Sequence, residues 1–253
     1  MRIIRVNFQD RTFYARLENG MLHCLDKTAG ITAPVPLEHV RILPLAAPTK
    51  IICLAVNYLA HGHEIKHEIP EVPRLFFKPP SALIMNEEPI VLPAVSLHVD
   101  YEGELAVIMG RFCRDVEPEE ASKYVFGYTC ANDVTARDLQ KQDVLFARAK
   151  GFDTFAPIGP WIETEVGDLE NLSVRTFVNN ELRQEGNTKD MIFSTFEIIS
   201  FVSKIMTLVP GDIIFTGTPE GVGPLSPGDE VTVEIENVGR LTNPVLHQGQ
   251  LAG

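Results

Sequence analysis

Apolar residues along the chain fall mostly in short runs separated by Asn-Gly, Asn-Asn and Pro-Gly-Asp turns, a pattern of strands more than of helices. Thr12 to Leu17 and Met21 to Leu25 flank Asn19-Gly20, the strongest short hairpin signal. A proline-spaced stretch from Ala33-Pro34-Val35-Pro36 to Pro44 and Pro48 reads as a linker. It predicts a small N-terminal β unit over residues 1–45 and a main domain over 46–253. In the main domain, strands are expected at Lys50 to Val56, Val99 to Met109 and Val125 to Ala131, the last running into a helical Thr135 to Gln140. Arg175 to Val178 and Glu181 to Gln184 bracket Asn179-Asn180 as a second hairpin. The clearest helix is Thr195 to Met206, with Ile198, Phe201, Val202, Ile205 and Met206 on one face. Ser194 and Glu197 make a capping box at its start. After Pro227-Gly228-Asp229, Val231, Val233 and Ile235 alternate with polar residues as a half-buried strand. The expected class is α+β, β-rich, with a mixed or antiparallel sheet core.

Composition changes this picture little but excludes several functions. The 253 residues are 45% apolar and 22% charged, a globular balance. The formal net charge of -12 disfavours nucleic acid as a partner, though not a small anion met by local cations. No apolar run reaches the roughly 18 residues a membrane-crossing helix needs, and the start lacks a signal peptide's apolar core. Cys24, Cys53, Cys113 and Cys130 are scattered, which suits reduced, buried thiols in a cytoplasmic protein.

The segment with most chemistry is Asp100-Tyr101-Glu102-Gly103-Glu104-Leu105-Ala106-Val107-Ile108. Read as one strand, it places Glu102, Glu104, Ala106 and Ile108 on one face, so two carboxylates continue an apolar stripe. On a solvated edge strand this is unremarkable. Against a core it requires a cation or hydrogen bonds, and a divalent ion fits best. Asp133 ends a buried strand and supplies a third carboxylate for a hard ion such as Mg²⁺.

The loop after the first core strand holds His61, His63 and His67. His63-Glu64-Ile65-Lys66-His67 formally matches the H-E-x-x-H zinc-peptidase pattern, but Gly62, Pro70 and Pro73 weaken the helix it needs. A second option pairs His61 with Glu64, three residues apart, so that the carboxylate orients an imidazole acting as general base. Exposed loop histidines are the third. Gly217 to Gly223 is not a P-loop, since no Lys-Ser/Thr follows; a tight turn whose backbone and Thr218 face a ligand is expected. His98 reads as a packing or surface residue.

Four blocks, in order, resemble the fumarylacetoacetate hydrolase family: Asp100 to Val107, Asn132 to Gln140, Lys150 to Pro157, and Gly211 to Pro224. The likeness runs from about residue 50 to 245. It implies a β-rich fold, a Mg²⁺ or Mn²⁺ site that Ca²⁺ could also occupy, a homodimer, and chemistry on a small anionic 2-oxo acid. By this resemblance Glu102, Glu104 and Asp133 are the metal ligands, His61 and Glu64 the water-activating pair, and Lys150 a substrate-binding lysine. Lys78, Arg137, Gln140 and Thr218 would line the substrate pocket, with Tyr58 a weaker candidate. Ala55-Val56 stands where some members carry Gly-Arg, so one positive contact is missing. The implied reaction is carbon–carbon cleavage of an acylpyruvate-type substrate by activated water. Decarboxylation or isomerisation is the alternative, because each needs the same enolate stabilised.

Overall fold

In the computed structural model, residues 1–64 and 68–250 are described. They build three sheets and a few short helices, and the expected β-rich α+β class holds. The largest sheet has 12 strands. Its centre runs Ala156–Glu163, Val125–Asn132, Gly103–Met109, Ile213–Phe215 and Ile51–Leu54. Neighbours are antiparallel except Ile213–Phe215 against Ile51–Leu54, so the sheet is mixed. The Asn19-Gly20 hairpin forms as expected, between Arg11–Glu18 and Met21–Cys24. The first strand, Arg2–Phe8, pairs with Ala156–Glu163 through Ile3 and Ile162, so the main sheet crosses the boundary placed near residue 46.

Every residue of Gly103–Met109 is buried because the strand has a core on both sides. Leu105, Val107 and Met109 face one cluster with Val174, Val233 and the helix Thr195–Ile205. Ala106 and Ile108 face the other with Ile51, Ile213 and Phe215. The helix begins at the Ser194/Glu197 capping box. Its buried face differs from the expected one: Ile198, Ile199, Val202 and Ser203 point inward, while Ile205 is 53% exposed. The Ser203 hydroxyl accepts a hydrogen bond from the Val116 amide, which turns that polar residue toward the core.

The continuous strand expected over Val99 to Met109 is broken. Val99–Tyr101 belongs to a three-stranded sheet with Thr135–Ala136 and Gly223–Pro224, and Gly103–Met109 to the main sheet. Glu102 sits in the break. Its amide donates to the Asn132 side chain and its carbonyl accepts from the Asp133 amide, both at the far end of the adjoining strand. A change of sheet at this residue points Glu102 into the gap between sheets. No helix among the described residues is long and apolar enough to cross a membrane.

Candidate active site

Two chain segments bring the acidic groups together. Glu104 shares a face with Ala106 and Ile108, as alternation requires, and Glu102 projects from the strand break beside it. Gly103 pairs with Asn132, which sets Asp133 opposite. One carboxylate oxygen from each of Glu102, Glu104 and Asp133 lies within 4.8 Å of the others, and all three residues are buried. The glycine between the two glutamates is a packing requirement: a Cβ at Gly103 would sit 2.1 Å from Thr176 Oγ1. Gly103→Ala is therefore expected to destabilise the fold by about 1–3 kcal/mol, read as a lower urea midpoint.

The groups around these carboxylates separate their electrostatics. Lys150 Nζ donates to Glu102 Oε2 at 2.8 Å and to Asp133 Oδ2 at 2.6 Å. Arg137 donates from Nη2 to Glu102 Oε1 at 2.6 Å, from Nε to Asp100 Oδ2 at 2.8 Å, and from Nη1 to Gln140 Oε1 at 2.7 Å. Burial would raise the Glu102 carboxyl, but Lys150, Arg137 and His61 together outweigh it and hold it well below the ordinary range. Glu104 has no hydrogen-bonded cation among the described residues, and the Lys150 charge acts on it only weakly. Burial, then the charges of Asp133 and Glu102, push it well above the ordinary range, and the Gly217 amide at 2.7 Å offsets only part of this. With Asp100 counted, four buried carboxylates meet three buried cations, Lys78, Lys150 and Arg137, which leaves a surplus of negative charge of the kind a hard cation relieves, and an all-oxygen donor set suits Mg²⁺ or Mn²⁺.

A cavity of about 840 Å³ opens over this floor, lined by His61, Glu64, Glu102, Arg137, Gln140 and Lys150 among others. His61 is buried, on the short helix Leu59–Glu64, and its Nδ1 lies 3.1 Å from Glu64 Oε2. The other Glu64 oxygen accepts from the Gly221 amide at 3.0 Å. The i, i+3 pairing expected from the sequence is therefore made. The zinc-peptidase option is not supported by what is described: Glu64 turns to His61, His63 is exposed, and His67 lies outside the described residues.

Three residues expected in the substrate pocket lie elsewhere. Lys78 is fully buried, and Nζ spends all three N–H groups on the carbonyls of Val134, Lys150 and Phe155 while standing 2.7 Å from Asp133 Oδ1. It braces the loops behind the trio. The Thr218 hydroxyl donates to the Gly103 carbonyl and accepts from Gln184, so it ties the glycine-rich segment to the acidic strand and does not line the cavity. Tyr58 is buried outside the lining. Burial, then Glu104 and Asp190, push its phenol far up, so it stays protonated.

His98 is exposed, as the surface reading expects, and it also lines the cavity, with Nε2 2.8 Å from Asp100 Oδ1. Arg74, Phe76, Lys141 and Phe146 also line it and were not singled out from the sequence. Asp100 could have been noticed, since it stands two residues before Glu102. Arg74 and Lys141 carry no local signal.

A β-rich fold that buries three clustered carboxylates beneath a donor-lined cavity, with a His–Glu pair at the wall, defines a candidate cation-assisted small-molecule site. The chain belongs to the fumarylacetoacetate (FAA) hydrolase C-terminal family, whose model matches residues 50–246. It is 54% identical over 198 residues to an uncharacterised protein of Methanocaldococcus jannaschii, covering 78% of this chain and 83% of that one. It is 44% identical over 206 residues to the 4-hydroxyphenylacetate degradation bifunctional isomerase/decarboxylase of Salmonella dublin, covering 80% of this chain and 48% of that one. Among solved structures, maleylpyruvate hydrolase of Sphingobium sp. SYK-6, in complex with manganese(II) and pyruvate, superposes with a TM-score of 0.81 at 34% identity, covering 98% and 99% of the two chains. The chain is thus an enzyme of a family that includes hydrolases, isomerases and decarboxylases.

Proposed function

We propose that this chain is a divalent-metal-dependent enzyme that cleaves a carbon–carbon bond in a small 2-oxo acid, with hydrolysis of an acylpyruvate-type 1,3-dioxo acid as its main reaction. The observation that carries the reading is the meeting of the acidic trio's Glu102, the donors Lys150, Arg137 and Gln140, and the His61–Glu64 pair on one cavity. The trio fits a hard cation because its three oxygens converge, are buried, and leave Glu104 with no ion-paired cation among the described residues. Glu102, Glu104 and Asp133 would hold Mg²⁺ or Mn²⁺, which would supply Lewis-acid polarisation of the substrate's oxygens.

The chain's own groups do the rest. Two of the three Lys150 N–H groups are used on carboxylates, and three of the five on Arg137. One on Lys150 and two on Arg137 remain without a protein acceptor among the described residues. The Gln140 oxygen accepts from Arg137, so its NH₂ is the free end. These donors suit a carboxylate and the oxyanion that grows at C2 as the bond breaks. Glu64 accepts the His61 Nδ1 proton, which leaves Nε2 as the basic nitrogen. Nε2 takes a proton from water as its oxygen attacks the distal carbonyl carbon. The tetrahedral adduct then collapses, the C–C bond electrons pass into the enolate of the 2-oxo acid, and a carboxylic acid departs. Protonation of the enolate carbon, from His61 or solvent, completes the balance.

A second reading, decarboxylation or isomerisation of an oxaloacetate-like acid, uses the same donors without water attack, and the Salmonella relative's name supports keeping it. The deciding experiment follows acetylpyruvate and oxaloacetate in parallel. Chelator-treated protein is expected to be silent on both, and Mg²⁺ or Mn²⁺ to restore turnover, with acetylpyruvate preferred by kcat/KM. Full activity after chelation removes the metal role; turnover of oxaloacetate alone replaces hydrolysis by decarboxylation. In keeping with family likeness, we also propose a cytoplasmic homodimer.

A further inference from the structure

The segment Thr216 to Pro224 crosses the cavity's edge and is fastened at both ends to chemistry. At one end the Gly217 amide donates to Glu104. At the other the Gly221 amide donates to Glu64, which holds His61. The strap therefore links the acidic trio to the His–Glu pair through two backbone hydrogen bonds four residues apart. Its own position at the second end depends on Tyr101. The Tyr101 hydroxyl donates to the Gly221 carbonyl at 3.0 Å, and Tyr101 pairs with Gly223 between adjacent strands. The hydroxyl end of the ring packs close to the strap: a Cβ on Gly223 would stand 2.9 Å from the hydroxyl oxygen. Gly221 has a φ of +96°, and a Cβ there would meet the Arg183 carbonyl oxygen at 2.4 Å, so the turn is confined from the other side too. Gly221 thus joins two contacts on one residue: its carbonyl accepts from the Tyr101 hydroxyl, and its amide donates to Glu64, which meets the imidazole.

We propose that Tyr101 is a positioning residue that, through Gly221, fixes Glu64 against His61 and so sets how much of the site's turnover is water-dependent cleavage. This rests on the reading of His61 and Glu64 as the water-activating pair. Enolate-forming reactions that need no activated water depend on Lys150, Arg137 and Gln140, whose side-chain hydrogen bonds go to Glu102, Asp133, Asp100 and one another and not to the strap's second end. Loosening Gly221 then separates the two reaction classes that share the cavity.

Tyr101→Phe keeps the ring against Gly223 and removes only the hydroxyl. With Mg²⁺ present, kcat for acetylpyruvate is expected to fall about five- to tenfold, the scale of one lost hydrogen bond, while its KM and the kcat for oxaloacetate stay within about twofold. In a Glu64→Gln background the same substitution is expected to add nothing, since its route is already cut. An equal loss on both substrates, or an undiminished further loss in the Glu64→Gln background, overturns the proposal. Hydrogen-exchange mass spectrometry supplies a readout that needs no turnover. Tyr101→Phe is expected to speed exchange in peptides covering 58–64 as well as 219–224. Acceleration confined to 219–224 overturns the proposal even if the enzyme acts on neither test substrate. Coupled exchange in a protein inactive on both substrates supports the strap and instead removes the reading of the function.

Discussion

His61→Ala is expected to remove hydrolysis of an acylpyruvate by about 10²–10⁴-fold, the usual scale of a positioned general base, and to leave decarboxylation of oxaloacetate within about threefold. The two effects diverge because the imidazole has one task. Its Nδ1 is committed to Glu64 at 3.1 Å, and it meets none of the donors that hold the enolate oxygens. The imidazole makes no hydrogen bond to the acid trio and is only the third of the charges that hold Glu102 low, after Lys150 and Arg137, so Mg²⁺ affinity measured by calorimetry should change little. Parallel rates on the two substrates check this directly. A matched loss on both, with metal affinity intact, would give His61 a role in binding and leave the water without a base. Glu64→Gln is expected to fall between wild type and His61→Ala on the hydrolytic reaction alone, since Gln can still accept from Nδ1–H but no longer stabilises the imidazolium.

Much of this was legible in the residues, for identifiable reasons. Period-two alternation placed Glu104 on the Ala106 and Ile108 face, and helical spacing paired His61 with Glu64. Both are local rules that survive tertiary context. Alternation and the chemistry of buried carboxylates suggested the trio, the resemblance to the family assigned it as metal ligands, and the geometry brings its oxygens together. What alternation could not reveal was the break at Glu102, because the Asn132 side chain and Asp133 amide that hold it come from a strand about thirty residues away in sequence. Lys78 and Thr218 were misplaced for a related reason. A lysine or threonine near a cavity reads the same from sequence whether its polar end faces substrate or backbone. Only the three carbonyls around Lys78 Nζ, and the Gly103 carbonyl on the Thr218 hydroxyl, show that these ends are already engaged. His98 reads as a packing or surface residue and is exposed, but an exposed histidine gives no sign that a cavity lies in front of it.

Opposite stability changes are expected from Glu104→Gln and Glu102→Gln, two like substitutions at neighbouring carboxylates. In the metal-free protein Glu104 is burdened by burial and by Asp133 and Glu102, so its folded pKa is raised above its ordinary value of 4.5. A raised carboxyl favours folding while protonated, and that contribution is lost as pH climbs from about 4.5 through the folded value. At neutral pH Glu104 is thus a liability until a cation neutralises it. Glu104→Gln should raise the metal-free Tm by a few degrees, on the scale of about 1 kcal/mol. It should also weaken Mg²⁺ binding by more than the 10–100-fold typical of residues that only support a ligand. Glu102 is the reverse case. Lys150 and Arg137 hold it low, so it contributes stability above the ordinary carboxylate range that is lost on acidification. Glu102→Gln should lower the metal-free Tm by the equivalent of about 1–3 kcal/mol, because both cations keep one other carboxylate, Asp133 or Asp100, but lose their shared one. The wild-type gain in Tm on adding Mg²⁺ should grow as pH rises through the window in which Glu104 loses its proton, with proton release detectable in calorimetry across buffers of different ionisation enthalpy. In Glu104→Gln the gain should be small and flat with pH. Equal destabilisation by both substitutions, or a Mg²⁺ response that Glu104→Gln leaves intact, would mean that the cation, if one binds, is held by some other set of oxygens.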